Sequence, residues 1–362
     1  MKTTALTFVA LFLAAIASAQ QTDQALRTYV TRALPQCPGG AITLENVNGG
    51  PPGFRTYMVT LRSSDQYCGT QRHLLYSPKT QQVILGTIVP LPQDGRPAHL
   101  RVTEKASELL GKSHTASVSP FPLPDGIKAV TIHKPVENGT FGYHGFVDSS
   151  ERYLIVGNRG LANSDPAVAL REALGVSKAA RRGTGSVEII EVSDFQCPTC
   201  ARAHEKIEPL IQQNLSKITY VRVDLPLFEH HEWSLQSALA ARSIQRVAPA
   251  KYWTFVDFVF KNQQAITAPR FDKMFRDFAE DHDIPWPALE KIYRAPAERQ
   301  ALLDQTSRAF DSGLNSTPTF IVDGRVMGFG PDGNFTIEKI KAAIAGAKPA
   351  KPAAKAPAKP KK

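Results

Sequence analysis

The chain has 362 residues and an ordinary apolar fraction of 42%, enough for about two globular domains and against global disorder. Its net charge of +10 is concentrated: six lysines in the last fifteen residues and Lys2 near the start leave +3 for the rest. Nucleic-acid binding by the folded part is therefore not expected.

The first segment, 1–19, reads as a secretory signal. Lys2 supplies the positive start, Ala5 to Ile16 an apolar run, and Ala17-Ser18-Ala19 a small-residue cleavage site. Twelve apolar residues are too few to span a bilayer, and no later run is long enough. The expected location is periplasmic or otherwise extracytoplasmic in a bacterium. Four cysteines, Cys37, Cys68, Cys197 and Cys200, suit disulfide use in such a compartment.

An α+β N-terminal region is expected over residues 20–176. Helical patterns fall at Gln24–Leu34 and Thr103–Leu110. Strands are expected at Phe54–Leu61, Arg72–Tyr76 and Gln82–Val89, then at Gly126–His133, Tyr143–Val147 and Tyr153–Gly157. Leu75-Tyr76-Ser77-Pro78 and Val83-Ile84-Leu85-Gly86 match Phe146-Val147-Asp148-Ser149 and Leu154-Ile155-Val156-Gly157 at a constant offset of 71. This predicts two duplicated helix–three-strand units, about 22–96 and 102–163, that pair to bury an apolar sheet face. A third helix, Pro166–Leu174, with Gly175 at its C-cap, closes the region, and 177–186 reads as a linker.

The C-terminal domain is expected over 187–347. Val187–Val192, rich in β-branched residues, leads to Cys197-Pro198-Thr199-Cys200 and directly into a helix over Ala201–Leu215. Cys197 thus stands at a helix N-terminus, where free N–H groups and the helix dipole favour a thiolate. That thiolate is the species that attacks a disulfide. Cys200, one turn further in, would resolve the mixed disulfide. Pro198 suits the first turn, where no N–H is needed. A zinc site lacks ligands: there is no second Cys-x-x-Cys, and His204 leaves a fourth position empty. A purely structural bridge here would close too small a loop to matter.

The segment Val187–Cys200 resembles the active-site strand of the DsbA-like thioredoxin-fold family, in its Ser-Asp-Phe-x-Cys-Pro-x-Cys branch. Ser316-Thr317-Pro318-Thr319-Phe320 agrees with that family's second motif. The resemblance covers about Ser186 to Ala345, and implies an α/β thioredoxin-like fold with a helical insertion, here about 232–313. It implies that Pro318 is a cis-proline facing the redox pair, with Thr317 presenting its backbone to an extended substrate. It also implies that Glu191, beneath the pair, moves protons for the buried cysteine, with a pKa raised by burial. The implied activity is thiol–disulfide exchange on exported proteins, as an oxidase or, alternatively, a reductase or isomerase. A non-catalytic, chaperone-like binding module is the rival class. No dissociable cofactor and no metal are required, because the cysteine pair carries the electrons. Turnover then requires a membrane redox partner that resets the pair.

Three readings remain. Cys37 and Cys68 are expected to form a structural disulfide worth about 2–4 kcal/mol. His230 and His231, before a helix, read as capping or surface residues. The Lys/Ala/Pro tail, 348–362, cannot build a core, and its lysines could meet an anionic envelope surface. Some strongly oxidising members of that family carry a histidine between the cysteines; Pro198-Thr199 stands there instead.

Overall fold

The computed structural model describes residues 20–347, Tyr67 and Lys112 excepted; the segments read as signal and tail lie outside them. Strands such as Arg55–Arg62 alternate buried and more exposed residues, so that one face can meet a helix. A helix over residues 20–33 (α1) precedes β1 (Ala41–Val47), β2 (Arg55–Arg62), β3 (Thr70–Tyr76) and β4 (Gln82–Pro90). Helix α2 (Ala98–Leu110) precedes β5 (Thr115–Pro122), β6 (Lys128–Val136), β7 (Gly139–Val147) and β8 (Tyr153–Leu161). All eight strands form one antiparallel sheet in the order β1-β2-β3-β4-β8-β7-β6-β5.

This corrects the expectation of two three-strand units packed together. Each half has four strands, and the halves join edge to edge through β4 and β8. Strands β1 and β5 carry too few buried side chains to announce themselves in the sequence. Each half is covered by its own helix. Leu26, Tyr29 and Val30 of α1 pack on Val59, Leu61, Leu74 and Val83, and Val102 and Ala106 of α2 pack on Val130, Ile132, Val147 and Leu154. At the seam Gly86 lies opposite Gly157, the pair related by the sequence offset. A Cβ on Gly86 would fall 2.0 Å from the Val156 carbonyl oxygen, so only glycine permits the backbones to approach this closely.

The second sheet has five strands in the order β13-β12-β10-β11-β9. Its members are β9 (Ala180–Arg182), β10 (Val187–Ser193), β11 (Ile218–Asp224), β12 (Thr319–Val322) and β13 (Arg325–Gly328). Strand β10 pairs parallel with β11 and antiparallel with β12. The linker reading fails at its centre, because 180–182 pairs with β11 as an edge strand. Helix α3 (Pro166–Ala173) also changes allegiance: Leu170 and Leu174 pack on Val192, Val221 and Ile321 of the second sheet. The opposite face is covered by α4 (Pro198–Gln212) and α10 (Asn334–Gly346).

Between β11 and β12 lies the helical insertion: α5 (Ser234–Val247), α6 (Tyr252–Asn262), α7 (Ala268–Asp281), α8 (Trp286–Tyr293) and α9 (Pro296–Asp311). Its core is aromatic, with Phe255, Phe271, Phe275 and Phe278 fully buried. Among the described residues no helix is long and apolar enough to cross a membrane.

The two sheets are locked together. Phe141 of β7 is buried in the insertion core against Phe228 and Phe310. The Gln300 side chain of α9 bonds both the N–H and the C=O of Thr140, Ser307 Oγ donates to Gly142 O, and His144 Nδ1 lies 2.7 Å from Asp311 Oδ2. At the other edge Gln36 N donates to Val326 O at 2.7 Å, so the segment before Cys37 extends the β13 edge.

Candidate active site

Strand β10 ends at Ser193, and a tight turn delivers Cys197 as the N-cap of α4. Cys197 N donates to Asp194 O at 3.2 Å, which closes the turn. Pro198 then opens the helix, so Cys197 stands at the end where the first-turn N–H groups are free of intrahelical partners. Both cysteines are reduced in this structure. Cys197 is 7% exposed and Cys200 is at 0%.

Their environments drive the two thiols apart. A hydrogen bond from the Cys200 thiol, helped by Thr317 and the N–H groups of Thr199 and Cys200, outweighs burial and pulls the Cys197 pKa down to about 6. Burial, and then the neighbouring Cys197, push the Cys200 pKa well above its ordinary value. One sulfur is a thiolate near neutrality while the other keeps its proton. Asp194 N donates to Cys200 Sγ at 3.4 Å and fixes the inner sulfur.

The Thr317–Pro318 peptide is cis, and it faces the pair: Cys197 Sγ lies 3.5 Å from Thr317 O. β12 begins at Thr319, immediately beyond. A cleft of about 280 Å³ runs from Leu314–Ser316, just before this loop, to Tyr29 and Arg32 of α1, Cys68 of the β2–β3 loop and Arg72 of β3. Cys37 and Cys68 are disulfide-bonded at that wall. They stand in the β-sheet region and not at a helix start, unlike Cys197.

Glu191 corrects a sequence expectation. It is buried in β10, and burial by itself raises a carboxyl pKa. Arg222, His204, the Tyr220 hydroxyl and Ser193 outweigh that, and its pKa is lowered. Arg222 Nη1 donates to Glu191 Oε1 at 3.0 Å and Tyr220 Oη donates to Oε2. Glu191 is thus the ionised half of a buried ion pair, not a carboxyl with a raised pKa. Ser193, buried at the end of β10, favours the ionised forms of Glu191 and Cys200 only weakly, and its hydroxyl makes no hydrogen bond among the described residues. Asp224, 3.2 Å from Arg222 Nη2, is the second acid of the cluster, and burial raises its pKa to about 6. The guanidinium also lies over Phe195, 4.3 Å from the ring centroid.

Sequence reasoning missed Arg222, Asp224 and Ser193. A signal was present: charged residues interrupt β11 at Arg222 and Asp224, opposite Glu191 and Ser193 in the parallel register. It also set aside His231, whose Nδ1 lies 2.8 Å from the fully buried Asp194 Oδ2. His230, its neighbour, shows no such link. His204 pairs with Asp257 at 2.8 Å, and Glu208 completes a three-residue group. Both oxygens of Glu208 are held by Arg182, whose charge opposes a metal ion there.

Residues 182–345 match the model of the family described as Thioredoxin. With β10–α4, the cis Thr317–Pro318 loop and a helical insertion before β12, the C-terminal half has a thioredoxin-like fold. A stretch of 161 residues, 44% of this chain, is 27% identical to the Na(+)/H(+) antiporter NhaA 3 of Salinispora tropica and covers 22% of that protein. The chain spans about a fifth of the length of the curated relatives it matches. Similar solved structures include the thiol-disulfide exchange protein alpha-DsbA2 of Wolbachia pipientis, with 19% identity, a TM-score of 0.41, and coverage of 49% of this chain and 95% of that one. Another is oxidised BdbD of Bacillus subtilis, with 20% identity, a TM-score of 0.38, and coverage of 47% and 95%.

Proposed function

We propose that this protein is an exported thiol–disulfide oxidoreductase acting on cysteines of exported proteins, most naturally as an oxidase. The observation that carries the reading is the division of labour between the two sulfurs. Cys197, 7% exposed at the start of α4, has its pKa pulled to about 6, and Cys200 is fully buried with its pKa pushed well up. An extended substrate lying along Thr317 would bring its sulfur to Cys197. In the oxidising direction, a substrate thiolate attacks Cys197 of the Cys197–Cys200 disulfide and releases Cys200, which takes up a proton. A second substrate thiolate then attacks the mixed disulfide and expels the Cys197 thiolate. The substrate leaves with a disulfide and the protein with two thiols. Because a stabilised Cys197 thiolate favours the reduced protein, it drives electrons out of the substrate.

Export is supported by the Lys2, Ala5–Ile16 and Ala17-Ser18-Ala19 pattern and by the Cys37–Cys68 disulfide, which suits an oxidising compartment. A membrane redox partner would return the pair to the disulfide. The N-terminal sheet, which forms one wall of the cleft beside the Thr317 loop, serves as a substrate-positioning module. Insulin reduction by the wild type and by Cys197→Ser tests the chemistry. Loss of turnover in the variant supports it; equal behaviour of the two proteins would leave a non-catalytic binding module as the reading. The equilibrium with glutathione then sets the direction.

A further inference from the structure

The loop between β11 and α5 is laced to the turn that delivers Cys197. Asp194 Oδ1 accepts from Gln196 N at 2.8 Å, and its Oδ2 accepts from Leu227 N and meets His231 Nδ1, each at 2.8 Å. The Gln196 side-chain oxygen accepts from Trp233 N at 2.6 Å. Asp194 is fully buried, and a buried carboxylate needs a charged or donating partner on each oxygen. His231 is that partner on one oxygen, and its side chain remains partly exposed to solvent.

We infer that His231 is a positioning residue for the redox reaction: an imidazolium, held by Asp194 three residues before Cys197, that supplies from a second loop the positive charge that Pro198-Thr199 does not place between the cysteines. The inference rests on the reading of Cys197 as the attacking thiolate. Its physics is electrostatic. The Asp194 hydrogen bond raises the His231 pKa above 6.5 against the opposing effect of burial, and the charges of Asp194 and Cys197 add to it. These two are the charged groups that face the ring. On its own loop, Glu229 is taken by Lys134. The reduced protein presents a thiolate to the imidazolium, whereas the disulfide presents no charge. Protonated His231 therefore favours the dithiol and makes the pair more oxidising. When His231 loses its proton or is removed, its attraction for the thiolate is lost and the Asp194 carboxylate near Cys197 is left without a countercharge, so the thiolate is disfavoured.

The test is a pH titration of the reduced full chain, by thiolate absorbance and by the rate of iodoacetamide alkylation at Cys197, with the glutathione equilibrium measured on the same proteins. In His231→Ala the Cys197 midpoint should rise by about half a unit or more, a loss of thiolate of about threefold at fixed acidic pH. The equilibrium with glutathione should move toward the protein disulfide by a similar factor. His231→Gln keeps a donor for Asp194 without the charge, and should shift the midpoint as Ala does. Asp194→Asn combined with His231→Ala should recover most of the shift. A midpoint unchanged in both His231 variants overturns the inference, and so does a Gln variant that behaves as the wild type, since that leaves a structural link only. A wild type whose Cys197 titrates as an ordinary thiol and does not exchange with glutathione would instead overturn the function on which the inference rests.

Discussion

Glu191→Gln tests the buried charge cluster most directly. Arg222 and Glu191 are 0% and 1% exposed, and the pair is held by a 3.0 Å hydrogen bond. Removing one member of such a pair leaves the other charge uncompensated, which costs about 3–5 kcal/mol. Two features set the value at the low end, about 3 kcal/mol. The glutamine oxygen still accepts from Arg222 or Tyr220, and Asp224 at 3.2 Å from the guanidinium takes over as counter-ion. Loss of Glu191 also removes one of the influences that raise the Asp224 pKa, so Asp224 ionises more readily in the variant. The assay is guanidinium denaturation of the reduced protein, followed by fluorescence of Trp233, Trp253 and Trp286, which all lie in the C-terminal domain. The sign with pH follows from linkage. The folded Glu191 pKa lies below its ordinary 4.5, so its contribution is complete above pH 4.5 and is lost as pH falls through the folded value. The gap between wild type and variant should be full at pH 7 and close in acid. A gap below about 1 kcal/mol at pH 7, or one that persists unchanged in acid, would refute the reasoning.

Cys200→Ala removes the donor that contributes most to the low Cys197 pKa, so the Cys197 alkylation midpoint should climb above about 6; an unmoved midpoint would assign the effect to the helix terminus and Thr317. In the wild type, iodoacetamide should label Cys197 well before Cys200 at mildly acidic pH, as judged by peptide mapping. Thiol counting in a glutathione titration should show two thiols at mild potentials. The two from Cys37–Cys68 should appear only under strong reduction or unfolding, with a stability loss of about 2–4 kcal/mol; all four appearing together would point to electron transfer between the pairs. Gly86→Ala should destabilise the N-terminal sheet, because its Cβ would collide with Val156 O and Gly157 Cα, while the Cys197 titration stays in place. A variant as stable as the wild type would show that the seam relaxes easily.

The helical insertion at about 232–313 was expected from the resemblance, and apolar stripes at helical spacing accompany it, as in Phe271, Phe275 and Phe278 of α7. β10 and the Cys197–Cys200 placement were legible for a related reason: a β-branched run that stops at a turn and restarts as a helix. By contrast, β1 and β5 are edge strands with little buried surface, so no alternation marks them. The short β9 has only three residues, and its strand character comes from pairing with β11. His230 and His231 are adjacent and chemically identical in the sequence, and nothing local says which of them meets Asp194.

By itself the sequence marked the Cys197–Cys200 pair and its helix-start position, because both rest on residues close along the chain; the cis form of Thr317–Pro318 came from the resemblance. Tertiary structure alone decided the rest. The Arg222–Glu191 pair, the Asp194–His231 link and the Thr317 carbonyl beside Cys197 join segments about 30 to 120 residues apart. Whether burial or a countercharge sets the Glu191 pKa depends on which side chain lies across the sheet. Only the pairing of β10 with β11 places Arg222 there.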